Sequence, residues 1–220
     1  MKRQTNLAIL WDLDGTIIDS KECHFYSWKA VFDAYGFPFS REAYEKNFGR
    51  NNQTAIRVYL DFEPAQEMVD AISEEKEAIF RENVAEQAQL VPGVQTWLEE
   101  ARAMGLPQVI ASSAPMKNIT DILESFQLAS YFNHCISGAD LPAKPEPDVF
   151  LQASQRVAVP GERCLVIEDS VPGVLAAKNA GMTCVAVATS RDAGALAAAD
   201  LVIEDFTHAF ESALTELHLL

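Results

Sequence analysis

The 220-residue sequence predicts an α/β protein: a parallel β-sheet with helices on both faces, interrupted after its first strand by an inserted all-helical segment. Three observations predict it. From residue 91 onward, short apolar runs alternate with helix-periodic stretches, the pattern of parallel strands joined by crossover helices. Three apolar runs stop abruptly at polar residues, namely Asp12/Asp14, Ser112/Ser113 and Glu168/Asp169. Between the first run and the rest, residues 18–87 show helical spacing and no strand signal.

The first strand is the apolar run Leu7–Trp11, and its carboxyl end leads into Asp12, Leu13, Asp14 and Gly15. Strand side chains alternate, so Asp12 and Asp14 share a face while Leu13 turns away. Gly15 lets the chain bend sharply straight after them. Two carboxylates held that close repel each other, and a bound cation relieves the repulsion. A calcium-binding EF-hand loop would place its glycine sixth, whereas here it is fourth.

The inserted segment opens with Cys23, Phe25, Trp28, Val31, Phe32 and Tyr35 at helical spacing, closed by Gly36. Residues 37–39 connect to a second helix started by Ser40. Residues 48–53 read as a polar loop between helical segments. Pro64 opens a long helix to about Glu86, with Met68, Val69, Ile72, Ile79 and Val84 on its apolar side.

After Val91-Pro92-Gly93 the α/β pattern begins. Helices are predicted at Val94–Met104, Met116–Phe126, Pro147–Val157, Pro172–Ala180 and Thr207–Leu217. Strands are predicted at Pro107–Ala111, His134–Ser137, Cys164–Ile167, Thr183–Ala188 and Leu201–Ile203. In open α/β sheets, ligands bind at the carboxyl ends of the strands, where the three polar stops would meet. A helical insertion at that edge is expected to overhang it as a cap.

Composition narrows the function. Thirty-two acidic residues against 17 basic ones give a formal net charge of −15, which argues against a nucleic-acid or anionic-membrane partner. An anionic small substrate stays admissible, because a metal and one or two lysines reverse the sign locally. Cys23, Cys135, Cys164 and Cys184 form no C-x-x-C pair and read as thiols in a reducing compartment. Met1-Lys2-Arg3 precedes an apolar run too short for an export signal, so a cytoplasmic protein is expected.

Four motifs, in order, resemble those of the haloacid dehalogenase superfamily: DLDGT (Asp12–Thr16), a strand ending in Ser112, the lysine of AKPEPD (Lys144), and IEDSVPG with Glu168 and Asp169. The resemblance implies a Rossmann-like core over residues 1–16 and 88–220, with a helical cap over 17–87. It implies that Asp12 attacks phosphorus and forms an aspartyl phosphate, while Asp14 serves as acid and base. Ser112 would hydrogen-bond the phosphoryl oxygens and Lys144 would add positive charge to them and to the nucleophile, and Thr16 and Ser113 lie beside them in the motifs. Mg2+ would be held by Asp12, Asp14, Asp169 and Glu168, the last either directly or one step removed. True dehalogenases of the superfamily lack the second aspartate, so Asp14 points to phosphate chemistry.

Within the superfamily, ECHFYSWKAVF (Glu22 to Phe32) resembles the first cap helix of the β-phosphoglucomutase-like branch, including His24 and Trp28. Lys76 resembles that branch's cap lysine, and Gly49, Arg50 and Asn51 fall in its substrate-facing loop. The mutases carry a phosphate-gripping arginine where this chain has Asn52, with Arg50 two residues away. The expected activity is a magnesium-dependent phosphatase acting, as a monomer, on a small phosphorylated metabolite such as a sugar phosphate. A β-phosphoglucomutase-like phosphohexomutase is the alternative, and a catalytically idle phospho-ligand module the third. Which substrate fits lies in the cap residues and is not written in the motifs.

Overall fold

The run Ala8–Trp11 is apolar at every position, and in the computed structural model of the protein it is the fully buried central strand of a parallel sheet. The structure describes residues 7–47 and 50–219. Among these, the chain runs β1 (Ala8–Trp11), β2 (Ile18–Asp19), α1 (Lys21–Tyr35), α2 (Arg41–Asn47), α3 (Asn52–Tyr59), α4 (Gln66–Gln87) and β3 (Gln89–Leu90). It continues through α5 (Val94–Ala103), β4 (Gln108–Ser112), α6 (Met116–Ser125), β5 (His134–Ser137) and α7 (Asp148–Arg156). It ends with β6 (Cys164–Glu168), α8 (Val171–Asn179), β7 (Thr183–Val187), β8 (Leu201–Ile203) and α9 (Phe210–Glu216).

Two compact units emerge, one of residues up to Asp19 together with Leu90 onward, the other Ser20–Gln89. In the first, the described strands order as β5-β4-β1-β6-β7-β8, all parallel. Leu10 stands opposite Val109 on one side and Val166 on the other. Alternation along β1 sends Ala8 and Leu10 into a core with Val149, Phe150, Ala153, Val174 and Ala177, residues of α7 and α8. On the other face Trp11 meets Phe206, which packs against Trp97. The Trp11 indole Nε1 donates to the buried Gln108 Oε1 at 3.1 Å, and Gln108 Nε2 donates to Leu98 O at 3.0 Å, so no side-chain polar atom of that pair is left without a partner. Each buried valine, leucine or phenylalanine of the sheet core contributes about 1.5–3 kcal/mol by leaving water.

The chain reaches β4 and β5 on one side of β1 and then returns to β6, β7 and β8 on the other. That reversal opens a crevice beyond the carboxyl end of β1, the place where open α/β sheets bind ligands.

The second unit is helical, with α1 packed on α4. Its core mixes aromatic Phe25, Trp28, Phe32 and Tyr44, with Phe39 and Tyr59 against them, and aliphatic Val31, Ile56, Leu60, Val69 and Ile72. Gly36, at φ 73°, closes α1 in the left-handed conformation that glycine adopts without strain.

The elements differ from the sequence reading at four places. Asn52 and Gln53, read as loop, begin α3, because the Asn51 side chain accepts the Thr54 N–H and caps the helix two residues earlier. Ile18–Asp19, read as helical, pairs with Gln89–Leu90 in a two-stranded ribbon. The long helix starts at Gln66 and not at Pro64. The last helix starts at Phe210 and not at Thr207, because the Asp205 carboxylate takes both the Thr207 N–H (2.8 Å) and its hydroxyl (2.5 Å) into a turn. No helix among the described residues is long and apolar enough to cross a membrane. Cys164 and Cys184 are buried thiols, as expected.

Candidate active site

Asp12 follows the last residue of β1 and donates its backbone N–H to Ile167 O at 2.9 Å, which locks it beside the end of β6. Glu168 is the last residue of β6, and Asp169 follows it. All three carboxylates are buried, and one oxygen from each lies within 4.8 Å of the others. Lys144 comes in from the loop before α7. Its ammonium donates to Asp12 Oδ1 at 2.6 Å and to Glu168 Oε1 at 2.8 Å. The α8 residue Asn179 ties that loop down by donating from Nδ2 to Pro145 O at 3.0 Å.

Glu168 is held at both ends. Its Oε2 accepts the N–H groups of Asp169 (2.7 Å) and Ser170 (2.6 Å), while Oε1 faces Lys144. Ser170 in turn caps α8 through Gly173 N. A Cβ at Gly173 would fall 1.6 Å from Glu168 Oε1, so this turn of α8 accommodates Glu168 only as glycine.

Asp169 sits under the turn after Asp14. Thr16 Oγ1 donates to its Oδ1 at 3.3 Å, whereas Oδ2 is buried with no hydrogen-bond partner. Gly15, at φ 86°, has no room for a Cβ, which would lie 2.1 Å from that same Oδ2. The turn is held from a third strand end, since the hydroxyl of Thr189, just beyond β7, donates to Gly15 O.

One ammonium does not balance three buried carboxylates. Burial, with Glu168 and Asp14 adding to it, pushes Asp12 up to about 7 despite the opposing pull of Lys144. Burial and the neighbouring Glu168 and Asp12 charges raise Asp169 well above the ordinary carboxylate range. Burial works against charge on Lys144, yet Asp12 and Glu168 hold it protonated, above the ordinary lysine range. An excess of oxygen donors, one of them an unpartnered buried carboxylate oxygen, fits a hard divalent cation.

Ser112 ends β4, one strand over from Asp12, and is buried; its hydroxyl accepts the Ala114 N–H at 3.1 Å. Ser113 follows it, half-buried, and does not cap α6, whose N-cap is Pro115. Asp14 is half-buried beside the carboxylates and forms a backbone bridge with Ile18. Thus Asp12, Thr16, Lys144, Glu168 and Asp169 are linked in one network of hydrogen bonds and close carboxylates, with Ser112 at the end of the adjoining strand.

The helical-unit residues form their own set. Lys76 Nζ lies 2.9 Å from His24 Nδ1, and the His24 ring stacks on Phe80 at 4.1 Å. Trp28 is buried against Phe32 and Tyr59, a packing position, with its ring 5.2 Å from the Lys76 ammonium. Arg50 is exposed, and Asn51 is committed to capping α3. Gly49 lies outside the described residues. Sequence reasoning missed Glu77 and Ser73 as partners here, and, beyond the end of β7, Thr189, which holds the Gly15 carbonyl, and Ser190, whose hydroxyl lies beside the Asp169 carboxyl. The polar pair Thr189-Ser190 after an apolar run repeats the signal that marked the other strand ends.

Comparison with known proteins agrees with this geometry. The model of a family described as "Haloacid dehalogenase-like hydrolase" matches residues 9–187. A phosphorylated carbohydrates phosphatase of Thermotoga maritima is 28% identical, covering 80% of this chain and 82% of its own. The validoxylamine A 7'-phosphate phosphatase of Streptomyces hygroscopicus is 30% identical over 90% of this chain and 93% of its own. The β-phosphoglucomutase of Bacillus subtilis is also 30% identical, covering 89% and 88%. Among solved structures, CbbY of Rhodobacter sphaeroides in complex with phosphate superposes with a TM-score of 0.83 at 27% identity, covering 91% of this chain and 95% of that one. With a family model matched across both ends of the carboxylate network and relatives aligned over most of their length, this chain belongs to the haloacid dehalogenase-like hydrolases.

Proposed function

We propose that the protein is a magnesium-dependent phosphatase of small phosphorylated metabolites, sugar phosphates foremost. The observation that carries this reading is the Asp12–Lys144–Glu168 network beside the unpartnered Asp169 Oδ2, at the crevice beyond β1. The names of the phosphorylated carbohydrates phosphatase and the validoxylamine A 7'-phosphate phosphatase among its relatives support the substrate class.

Asp12, Asp169 and the Asp14 main-chain carbonyl would hold the ion, with Glu168 beside them. When bound, magnesium supplies positive charge that offsets the buried carboxylates and the phosphoryl oxygens. An Asp12 carboxylate oxygen attacks phosphorus, forming the aspartyl phosphate as the P–O bond to the leaving alcohol breaks. Asp14 gives its proton to the departing alkoxide. It then takes a proton from the attacking water, whose oxygen bonds to phosphorus as the bond to Asp12 breaks, releasing phosphate. Lys144 keeps its proton throughout, which suits it to stabilising charge on the phosphoryl oxygens, and Ser112 donates to them. Thr16 fixes the Asp169 carboxylate.

The test is inorganic phosphate release from a panel of sugar phosphates and nucleotides, with magnesium and with a chelator. Release that depends on the metal is expected, ranked in favour of sugar phosphates. Transfer only in the presence of a hexose bisphosphate primer, with no release, would overturn hydrolysis in favour of a mutase.

A further inference from the structure

Gly15, which follows Asp14, has little conformational preference of its own. It stands at φ 86°, and a residue without a Cβ adopts positive and negative φ about equally readily. The two peptide groups that flank its Cα therefore keep their orientation only if other groups hold them. The first carries the Asp14 carbonyl, and its N–H, that of Gly15, donates to Ile18 O at 2.7 Å. The second carries the Gly15 carbonyl, which accepts the hydroxyl of Thr189, while its N–H, that of Thr16, reaches Leu13 O at 3.3 Å.

Thr189 is exposed and belongs to none of the four motifs. It reaches the turn from two strands away, since β6 lies between β1 and β7. Its backbone is anchored, because the preceding residue, Ala188, donates its N–H to Ile203 O of β8 at 2.8 Å. The Asp169 carboxyl lies where the two loops meet: a Cβ on Gly15 would fall 2.1 Å from Asp169 Oδ2 and 2.6 Å from the hydroxyl of Ser190. The link continues through Thr16, whose hydroxyl donates to Asp169 Oδ1 at 3.3 Å. One hydroxyl from β7 thus fixes the turn that joins the Asp14 carbonyl to the group holding Asp169. Magnesium demands near-ideal octahedral geometry from its oxygen ligands. Groups placed just behind the ligands set that geometry, and losing one weakens metal binding by about 10–100-fold.

We propose that Thr189 is a positioning residue of the cation site: by pinning the Gly15 carbonyl it fixes the directions of the Asp14 carbonyl and of Thr16, and with them the magnesium affinity. This rests on the phosphatase reading above for the ligands of the ion and adds to it the residue that aligns them.

The test is the magnesium dissociation constant, taken from the rise of the melting temperature across graded magnesium, in the wild type, Thr189→Val and Thr189→Ser. Valine keeps the branched shape and loses the hydroxyl, whereas serine keeps the hydroxyl. Thr189→Val is expected to weaken magnesium binding about tenfold, and Thr189→Ser to stay within about threefold of the wild type. A purely structural role would lower the melting temperature in chelator and leave the dissociation constant unchanged, and that result overturns the proposal. So does Thr189→Ser binding as weakly as Thr189→Val, because the hydroxyl is then not the cause. If Thr189→Val does not fold, Thr189→Ala carries the same expectation. A wild type that binds no magnesium overturns the proposal and the metal-dependent reading together. A wild type that binds magnesium yet hydrolyses no ester of the panel refutes the phosphatase alone, and the dissociation constants still decide the role of Thr189.

Discussion

Asp12 is the residue on which burial, charge and chemistry converge. Its carboxyl is pushed up to about 7 by burial and by Glu168 and Asp14, against Lys144. Asparagine at this position keeps an oxygen that can accept from Lys144 and removes one of three mutually repelling charges. Asp12→Asn is therefore expected to lower phosphate release by more than ~10³-fold, the scale of losing a nucleophile, while the melting temperature holds or rises. Activity above a few per cent of wild type would place the nucleophile elsewhere. Glu77 is the opposite case, a carboxylate that burial works against but that the Lys76 and His24 charges and the hydrogen bonds from Lys76 and Asn52 hold below its ordinary range. A depressed acid contributes stability that is present above its unfolded value of about 4.3 and is lost as pH falls through its folded value. Acid unfolding of the wild type should steepen below about pH 4.3, and Glu77→Gln should flatten that limb; identical limbs would show that Glu77 is not held ionised.

At the scale of elements, the start of α8 is built around one side chain. Ser170 caps the helix, its N–H and that of Asp169 hold Glu168, and Gly173 leaves the space that Glu168 fills. Gly173→Ala forces Glu168 off Lys144, since a Cβ would lie 1.6 Å from its Oε1. The expected cost is about 1–3 kcal/mol of stability with a larger loss in kcat than in KM, read by melting and steady-state kinetics; wild-type kinetics would show that Glu168 does not need that space. The strand ends were legible in the sequence because an apolar run that stops at paired acids has no comfortable structural explanation. Lys144 was legible only through the family's motif, since a loop lysine before proline carries no local signature. Glu77 was not legible: in the acidic run Glu74-Glu75-Lys76-Glu77 it looks like any solvated helix residue, and tertiary packing alone buries it. Ile18–Asp19 was missed because two residues carry no periodicity.

At the scale of the whole molecule, the carboxylates that would hold a cation come from opposite ends of the chain, Asp12 from β1 and Asp169 from beyond β6, which are neighbours only in the folded sheet. An unfolded chain does not bring them together, so a cation bound to all of them stabilises the folded α/β unit alone. At magnesium a hundredfold above its dissociation constant the gain is about 2.7 kcal/mol. For a chain of this size that raises the melting temperature by about 5–10 °C. Scanning calorimetry should show the rise with magnesium, its loss with chelator, and its loss in Asp169→Asn, which removes the charge of the carboxylate bearing the unpartnered Oδ2 without touching the Lys144 bonds. Should the two units melt separately, the shift belongs to the transition of the α/β unit, because the helical unit, Ser20–Gln89, supplies none of these ligands. A rise that survives in Asp169→Asn would mean that magnesium binds somewhere other than the crevice beyond β1.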